Sequence, residues 1–312
     1  MKKNILKIIL FILIFCVLLN IVSYPFIPKN NSQEYGMEDA DADVYGILGE
    51  PDNTIDVIIY GDSESITSFV PIKMWADLGY TSYICGTPGQ AMPAVCEAIL
   101  NTTQHQTPKY IVLEVNNMFV HSGVTAPMAK VANTLFPVLE YHDRWKDLTA
   151  RDFGKIEYTI TNDNKGYHYI GATTPIDSTG YMSYSEGVQE IAIEHKVYLK
   201  LIKEYCKMKG IDLILYSAPN VKNWTYEKHN GLDNFCQKEG IEYIDFNYIT
   251  NEIGIDWTTD TGDYGEHVNH NGALKVTKYF EKYLKNKGKL KSHKEDDNYR
   301  SWNKIKTTDS LN

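Results

Sequence analysis

The amino-acid sequence predicts an α/β protein: a three-layer α/β/α sandwich on a five-stranded parallel sheet, preceded by an N-terminal transmembrane helix. Three observations carry this reading. Short runs rich in Val, Ile and Tyr lack the polar alternation of a half-exposed strand, as expected when both faces of a sheet are buried. These runs alternate with amphipathic stretches of helical length. Residues 8–19 are uninterruptedly apolar and follow Lys2, Lys3 and Lys7.

The N-terminal element comes first. With Asn20 and Ser23 as polar interruptions, the apolar stretch continues to Ile27, close to the roughly 20 residues that cross a bilayer. No A-x-A cleavage site follows, and Phe15 stands before Cys16 where a lipoprotein signal needs a small residue. Residues 1–27 are therefore expected to be a cytoplasmic tip and an uncleaved anchor, with a cleaved signal as the alternative. Lysines ahead of the run keep the N-terminus cytoplasmic. The expected location is the cell membrane, single-pass, with the bulk of the chain outside.

Residues 28–53 are rich in Asn, Asp, Glu and Gly without sustained period and are expected to be a linker. The main domain is placed at 54–286. Its strands are expected at 56–60, 82–85, 110–115, 212–217 and 242–246, and its helices at 65–78, 92–102, 188–209, 224–238 and 272–284. Between the third strand and the third helix, about 117–187 is too long for a plain loop and is expected to form a cap. Residues 287–312 are charged, nearly free of apolar periodicity, and expected to be a disordered tail.

Composition narrows the function. The 312 residues are 43% hydrophobic, enough for a full core. The net charge of −9 is unevenly placed, with 19 Lys and Arg against 35 Asp and Glu between residues 25 and 280. That acidity would repel phosphate backbones, so no nucleic-acid partner is expected. No GxxxxGK[ST] or GxGxxG motif occurs, and the five cysteines form no CxxC pair or Cys/His cluster. No cofactor and no metal is expected. Cys85, Cys96, Cys206 and Cys236 read as small buried apolar residues, with pairing in an exported domain as the alternative.

In such a sheet ligands bind at the carboxyl ends of the strands, so the residues just after each strand matter most. The first strand runs into Gly61-Asp62-Ser63, which sets Ser63 on the turn opening a helix. That is a position for a nucleophile with backbone N–H groups around it, and equally for a helix cap. A nucleophilic serine needs a base oriented by a carboxylate. His267, between the last strand and the last helix, is that candidate. Asn269 is expected to cap the last helix, and His270 to lie at the surface.

These residues resemble the SGNH, or GDSL, hydrolase superfamily, in particular its membrane-anchored branch from bacterial cell envelopes. The resemblance covers about residues 55–285 and rests on Gly61-Asp62-Ser63 after the first strand, Gly89 after the second, and His267 near the C-terminus. It implies a flavodoxin-like SGNH fold, Ser63 as acyl nucleophile, His267 as its base, and the N–H groups of Ser63 and Gly89 as oxyanion donors. Two places depart from the family pattern. Met118 stands where the third-block Asn belongs, leaving Asn116 or Asn117 to complete the oxyanion hole, and loss of one donor costs about 10²–10³ in rate. Asp263 lies four residues before His267 rather than three; with one extra loop residue absorbed it is still the implied acid, with Asp260 in reserve. Within the insertion, His142-Asp143-Arg144-Trp145 resembles an element of related envelope proteins, so that Trp145 either stacks on a sugar or anchors the cap. Asn223 faces the expected crevice or caps a helix.

The implied activity is an extracytoplasmic serine esterase or O-acyltransferase acting on an acylated envelope carbohydrate. A membrane-bound acyl-donating partner is expected for transfer. The rival is a non-catalytic scaffold of an acylation machine.

Overall fold

The computed structural model describes residues 2–37, 44–121, 123 and 125–305. Lys2–Ser23 (α1) is a single apolar helix, exposed along its length and long enough to cross a membrane, as an anchor or a signal sequence would be. Pro25 converts its end into a tight turn, Tyr24–Phe26.

Five strands form one parallel sheet: Val57–Gly61 (β1), Ser82–Gly86 (β2), Tyr110–Glu114 (β3), Asp212–Ser217 (β4) and Glu242–Asp245 (β5). Their order is β2-β1-β3-β4-β5, with Val57 paired to Ser82 on one side and Tyr110 on the other. The chain thus reverses direction across the sheet at β1, and the crevice at that switch lies over the carboxyl end of β1.

Both faces are covered, which explains the unalternating strands. Ile58 and Tyr60 pack into the layer of Met92–His105 (α4), Ile193–Lys209 (α6) and Tyr226–Glu239 (α7). Their neighbours Val57 and Ile59 point the other way, toward Phe69, Met74, Val276 and Phe280. The last two belong to His270–Lys287 (α8), where Asn269 accepts from Gly272 N–H as the N-cap. The helix expected at 65–78 is broken into Ser63–Ser68 (α2) and Pro71–Leu78 (α3). The cause is Pro71, which holds Val70 in extended backbone (φ −115°, ψ 90°). The helix expected from 188 begins only at Ile193.

The described residues of the expected linker and of the expected disordered tail pack on the domain. In 28–53, Asn31 donates to the carbonyls of Tyr45 and Ile160, and Glu50 pairs at 2.6 Å with Lys165, both buried. Its polar residues serve as partners for other backbone rather than as a solvated tether. Of the expected tail, residues 288–305 also pack. Trp302 is only 2% exposed and lies 5.5 Å from Trp75, while Tyr299 stacks on His293, which pairs with Asp56 at 2.9 Å. A few aromatics fix this segment without any period to announce them.

The insertion is not a compact cap. It begins with Thr125–Leu135 (α5) and three short turns beside the end of α1, where Asn20 donates to Leu135 O and Ser23 Oγ accepts from Val138 N–H. The chain then runs extended around the carboxyl edge of the sheet. Lys165 O accepts from Ile84 N–H, and His168 N–H donates to Ile66 O. Thr174 reaches Thr261 O, Gln189 reaches Glu227 O, and Ala192 returns to Met118 O. The result is a belt that closes on the turn it left.

Candidate active site

Gly61 ends β1 with φ +149°, and a Cβ there would lie 2.4 Å from Glu114 Cβ and 2.9 Å from Ser65 Cβ. Only glycine fits where β1 passes β3 and turns into α2. Asp62 caps that helix by accepting Glu64 N–H at 3.1 Å, which puts Ser63 at its first position. Both readings of the Gly-Asp-Ser turn meet here, with the cap supplied by Asp62 rather than by Ser63.

His267 comes to the same edge from the loop ahead of α8. Its Nε2 lies 2.8 Å from Ser63 Oγ, and its Nδ1 lies 2.5 Å from Asp263 Oδ2. Asp263 Oδ1 also accepts His267 N–H at 2.7 Å, so one carboxylate grips the histidine at ring and backbone. The four-residue spacing is absorbed by consecutive left-handed residues, Tyr264 (φ +62°) and Gly265 (φ +88°). Thr261 fastens the loop, accepting Gly265 N–H at 2.7 Å and donating to His267 O at 3.0 Å. Asp260 is turned elsewhere, accepting from Asp256 N–H at 2.7 Å and pairing with Lys275. His270, expected at the surface, is buried against the Tyr167 hydroxyl at 2.9 Å.

No protein-family model matches the chain, and no curated protein matches it. Among solved structures it is similar to a protein from Bacteroides fragilis described as a "putative acylhydrolase", at 14% identity and a TM-score of 0.40. The similarity covers 80% of this chain and 98% of that one. Likeness of this degree leaves the chemistry to be read from the side chains.

The other expected site residues divide. Gly89 lies on the turn after β2 with φ +65°, and its Cα faces open space. Asn116 is buried with its amide donating to Ala218 O at 3.2 Å, which ties it to the turn just after β4. Asn117 is the asparagine that turns toward the site, donating to Asp62 Oδ2. Asn223 is exposed on the turn after β4, and Thr225 caps α7 instead. Trp145, 63% exposed, lies in the turn His142–Lys146, whose Arg144 donates to Phe26 O near the end of α1. It belongs to the region beside the apolar helix.

Three residues given no role in the sequence analysis lie close to the serine. Asp62, Glu64 and Glu114 are buried with carboxylate oxygens within 4.8 Å of one another, the spacing of a cation site among the described residues. Glu64 Oε2 is 3.3 Å from Ser63 Oγ, and its other oxygen accepts from Asn220 Nδ2 at 3.0 Å. Burial, then the neighbouring Glu64, pushes Asp62 up to about 8. Burial and Asp62 hold Glu114 well above the carboxylate range. Burial first, and the closeness of three carboxylates second, favour the protonated form of these two. The signal available in the sequence was position alone, since Glu64 follows Ser63 and Glu114 ends β3.

Proposed function

We propose that the protein is an SGNH-type serine esterase or O-acyltransferase, anchored by α1, acting outside the membrane on ester groups of an envelope carbohydrate. The observation that supports this most is the convergence of Ser63, His267 and Asp263 from two distant segments at hydrogen-bond distances. His267 Nε2 takes the hydroxyl proton as Ser63 Oγ bonds to the ester carbonyl carbon, whose π electrons move onto oxygen. The N–H groups of Ser63 and Gly89 are the proposed donors to that oxyanion. Collapse expels the leaving alkoxide, which takes the proton from His267, and an acyl-enzyme remains. Water then completes hydrolysis, or a sugar hydroxyl completes transfer, its proton returning through His267 to Ser63.

The rival is a non-catalytic scaffold, favoured by the diversion of Asn116 and Asn117 away from the place of a third oxyanion donor. Incubation of the full chain in detergent with an acetylated aryl ester separates the two. Intact-mass spectrometry is expected to trap one acetyl group on Ser63, none in Ser63→Ala, and far slower labelling in His267→Ala. An unlabelled wild type in the presence of a membrane acyl donor supports the scaffold. Adding a glycan acceptor then divides the enzyme readings, because only a transferase moves the label onto sugar.

A further inference from the structure

At the β5 side of the same sheet edge lies a cavity of about 460 Å³, walled by Tyr181, Tyr226, Asn247, Tyr248, Asn251 and Trp257 among others. None of the residues assigned to acyl chemistry lines it. A run of short contacts nevertheless joins its wall to the serine. From Ser63, Glu64 is reached at 3.3 Å and Asn220 at 3.0 Å beyond it. Asn247 Oδ1 then accepts both Asn220 N–H at 2.7 Å and the Tyr181 hydroxyl at 2.6 Å.

Tyr248 gives the cavity a platform. The residue is 54% exposed although one face of its ring is covered by His229, with centroids 4.5 Å apart and planes 6° from parallel. The exposed area therefore lies on the opposite face and the edges. Behind it, buried Asp245 accepts from Trp224 Nε1 at 3.1 Å, lies 2.8 Å from His229 Nδ1, and takes the N–H groups of Asn247 and Tyr248. One carboxylate thus fixes the backbone that carries the ring, the histidine behind it and the adjacent amide. Little side-chain freedom remains to be lost when a ligand stacks there. Trp257 meets Tyr181 edge-on at 5.4 Å in the opposing wall.

Among the described residues the lining contains no Lys or Arg, so an anionic ligand finds no lysine or arginine counter-charge there. Its one carboxylate, Asp256, has Oδ1 engaged by Thr258 N–H and hydroxyl. A lipid chain would desolvate the amides and hydroxyls of the rim without replacing their partners. Aromatic faces beside amides and hydroxyls suit a ligand with apolar C–H faces and a rim of hydroxyl groups. We propose that this cavity is a subsite for a neutral sugar unit, with Tyr248 as the stacking ring and Asn251 as a hydroxyl partner. It deepens the proposed function, on which it rests for its purpose: holding one unit of a glycan while another presents its ester or hydroxyl to Ser63.

The test uses the full chain in a sugar-free detergent, with β-1,4-linked tetrasaccharides of glucose and of N-acetylglucosamine as neutral probes and tetragalacturonate as the charged one. Saturation-transfer NMR and titration are expected to find a neutral tetrasaccharide bound equally by wild type and Ser63→Ala, and tetragalacturonate unbound. Tyr248→Ala and Asn251→Ala should each weaken binding about tenfold, with Tyr248→Phe close to wild type. Melting curves identify any variant that fails to fold, and Asn251→Ala, at an exposed position, keeps the test open in that event. Absence of neutral binding overturns the inference, as does equal binding of tetragalacturonate or unaltered binding by folded Tyr248→Ala. A chain acylated on Ser63 that binds neither neutral glycan loses the subsite alone. One that binds through Tyr248 and never acylates loses the acyl reading alone.

Discussion

His267 is held at four atoms: Nε2 by Ser63, Nδ1 by Asp263, its backbone N–H by the other oxygen of Asp263, and its carbonyl by Thr261. Replacing Asp263 by Asn removes the charge that stabilises an imidazolium and permits the wrong tautomer. A buried acid in this role is worth about 10⁴ in kcat. The Asp263 side chain is 39% exposed, so water already screens part of its pull. Asp263→Asn is therefore expected to lower kcat by about 10²–10³, with KM little changed. Asp260→Asn should instead lower the melting temperature, because it loosens Lys275 and the turn at Asp256. Steady-state kinetics on both variants decides the assignment; a larger kcat loss from Asp260→Asn would overturn it. Asp62 makes a second prediction. Its folded pKa, raised to about 8, lies above the unfolded value near 3.9. Its contribution is thus fully present below about pH 4 and is lost as pH rises through about 8. Thermal melts across that window should show falling stability, and Asp62→Asn, which keeps a capping oxygen, should flatten the slope.

At the scale of elements, the C-terminal clasp of residues 288–305 carries the clearest consequence. Trp302 closes one layer of the core against Trp75, with Lys165 Nζ 4.8 Å above its ring. Trp302→Ala is expected to cost about 3–5 kcal/mol in denaturant unfolding, the range for a large buried aromatic. A loss under 1 kcal/mol would return the segment to the status of a tail. The contrast with the strands is physical. Strands buried on both faces, such as Val57–Gly61, betray themselves by composition, and the turns after them by position, which is how Ser63 and His267 could be found. Trp302 and Asn31 act as single contacts with no repeat around them. The substitution of Asn117 for Asn116 near the serine depends on the exact course of one turn. The sugar subsite draws on Tyr181, Tyr226, Tyr248 and Trp257, which stand in four separate stretches and acquire common meaning only when folded.

For the whole molecule, the segment after α1 belongs to the body. A chain begun at residue 24 retains Asn31, Ile47 and Glu50 in place and should fold as a soluble domain. One begun at residue 54 leaves Lys165 buried without its partner, a loss of about 3–5 kcal/mol for a broken buried pair. Melting temperatures of the two chains test this, and equal values would show that the segment is dispensable. Its packing also decides how the proposed enzyme meets its polymer. As a free coil, residues 28–53 would have an end-to-end distance of about 28 Å and let the domain sample a wide shell above the bilayer. With Asn31 and Glu50 packed on the domain, the described part of the segment permits no such sweep. In the proposed enzyme Ser63 would then work at one height above the bilayer, and the glycan would have to be delivered to that plane.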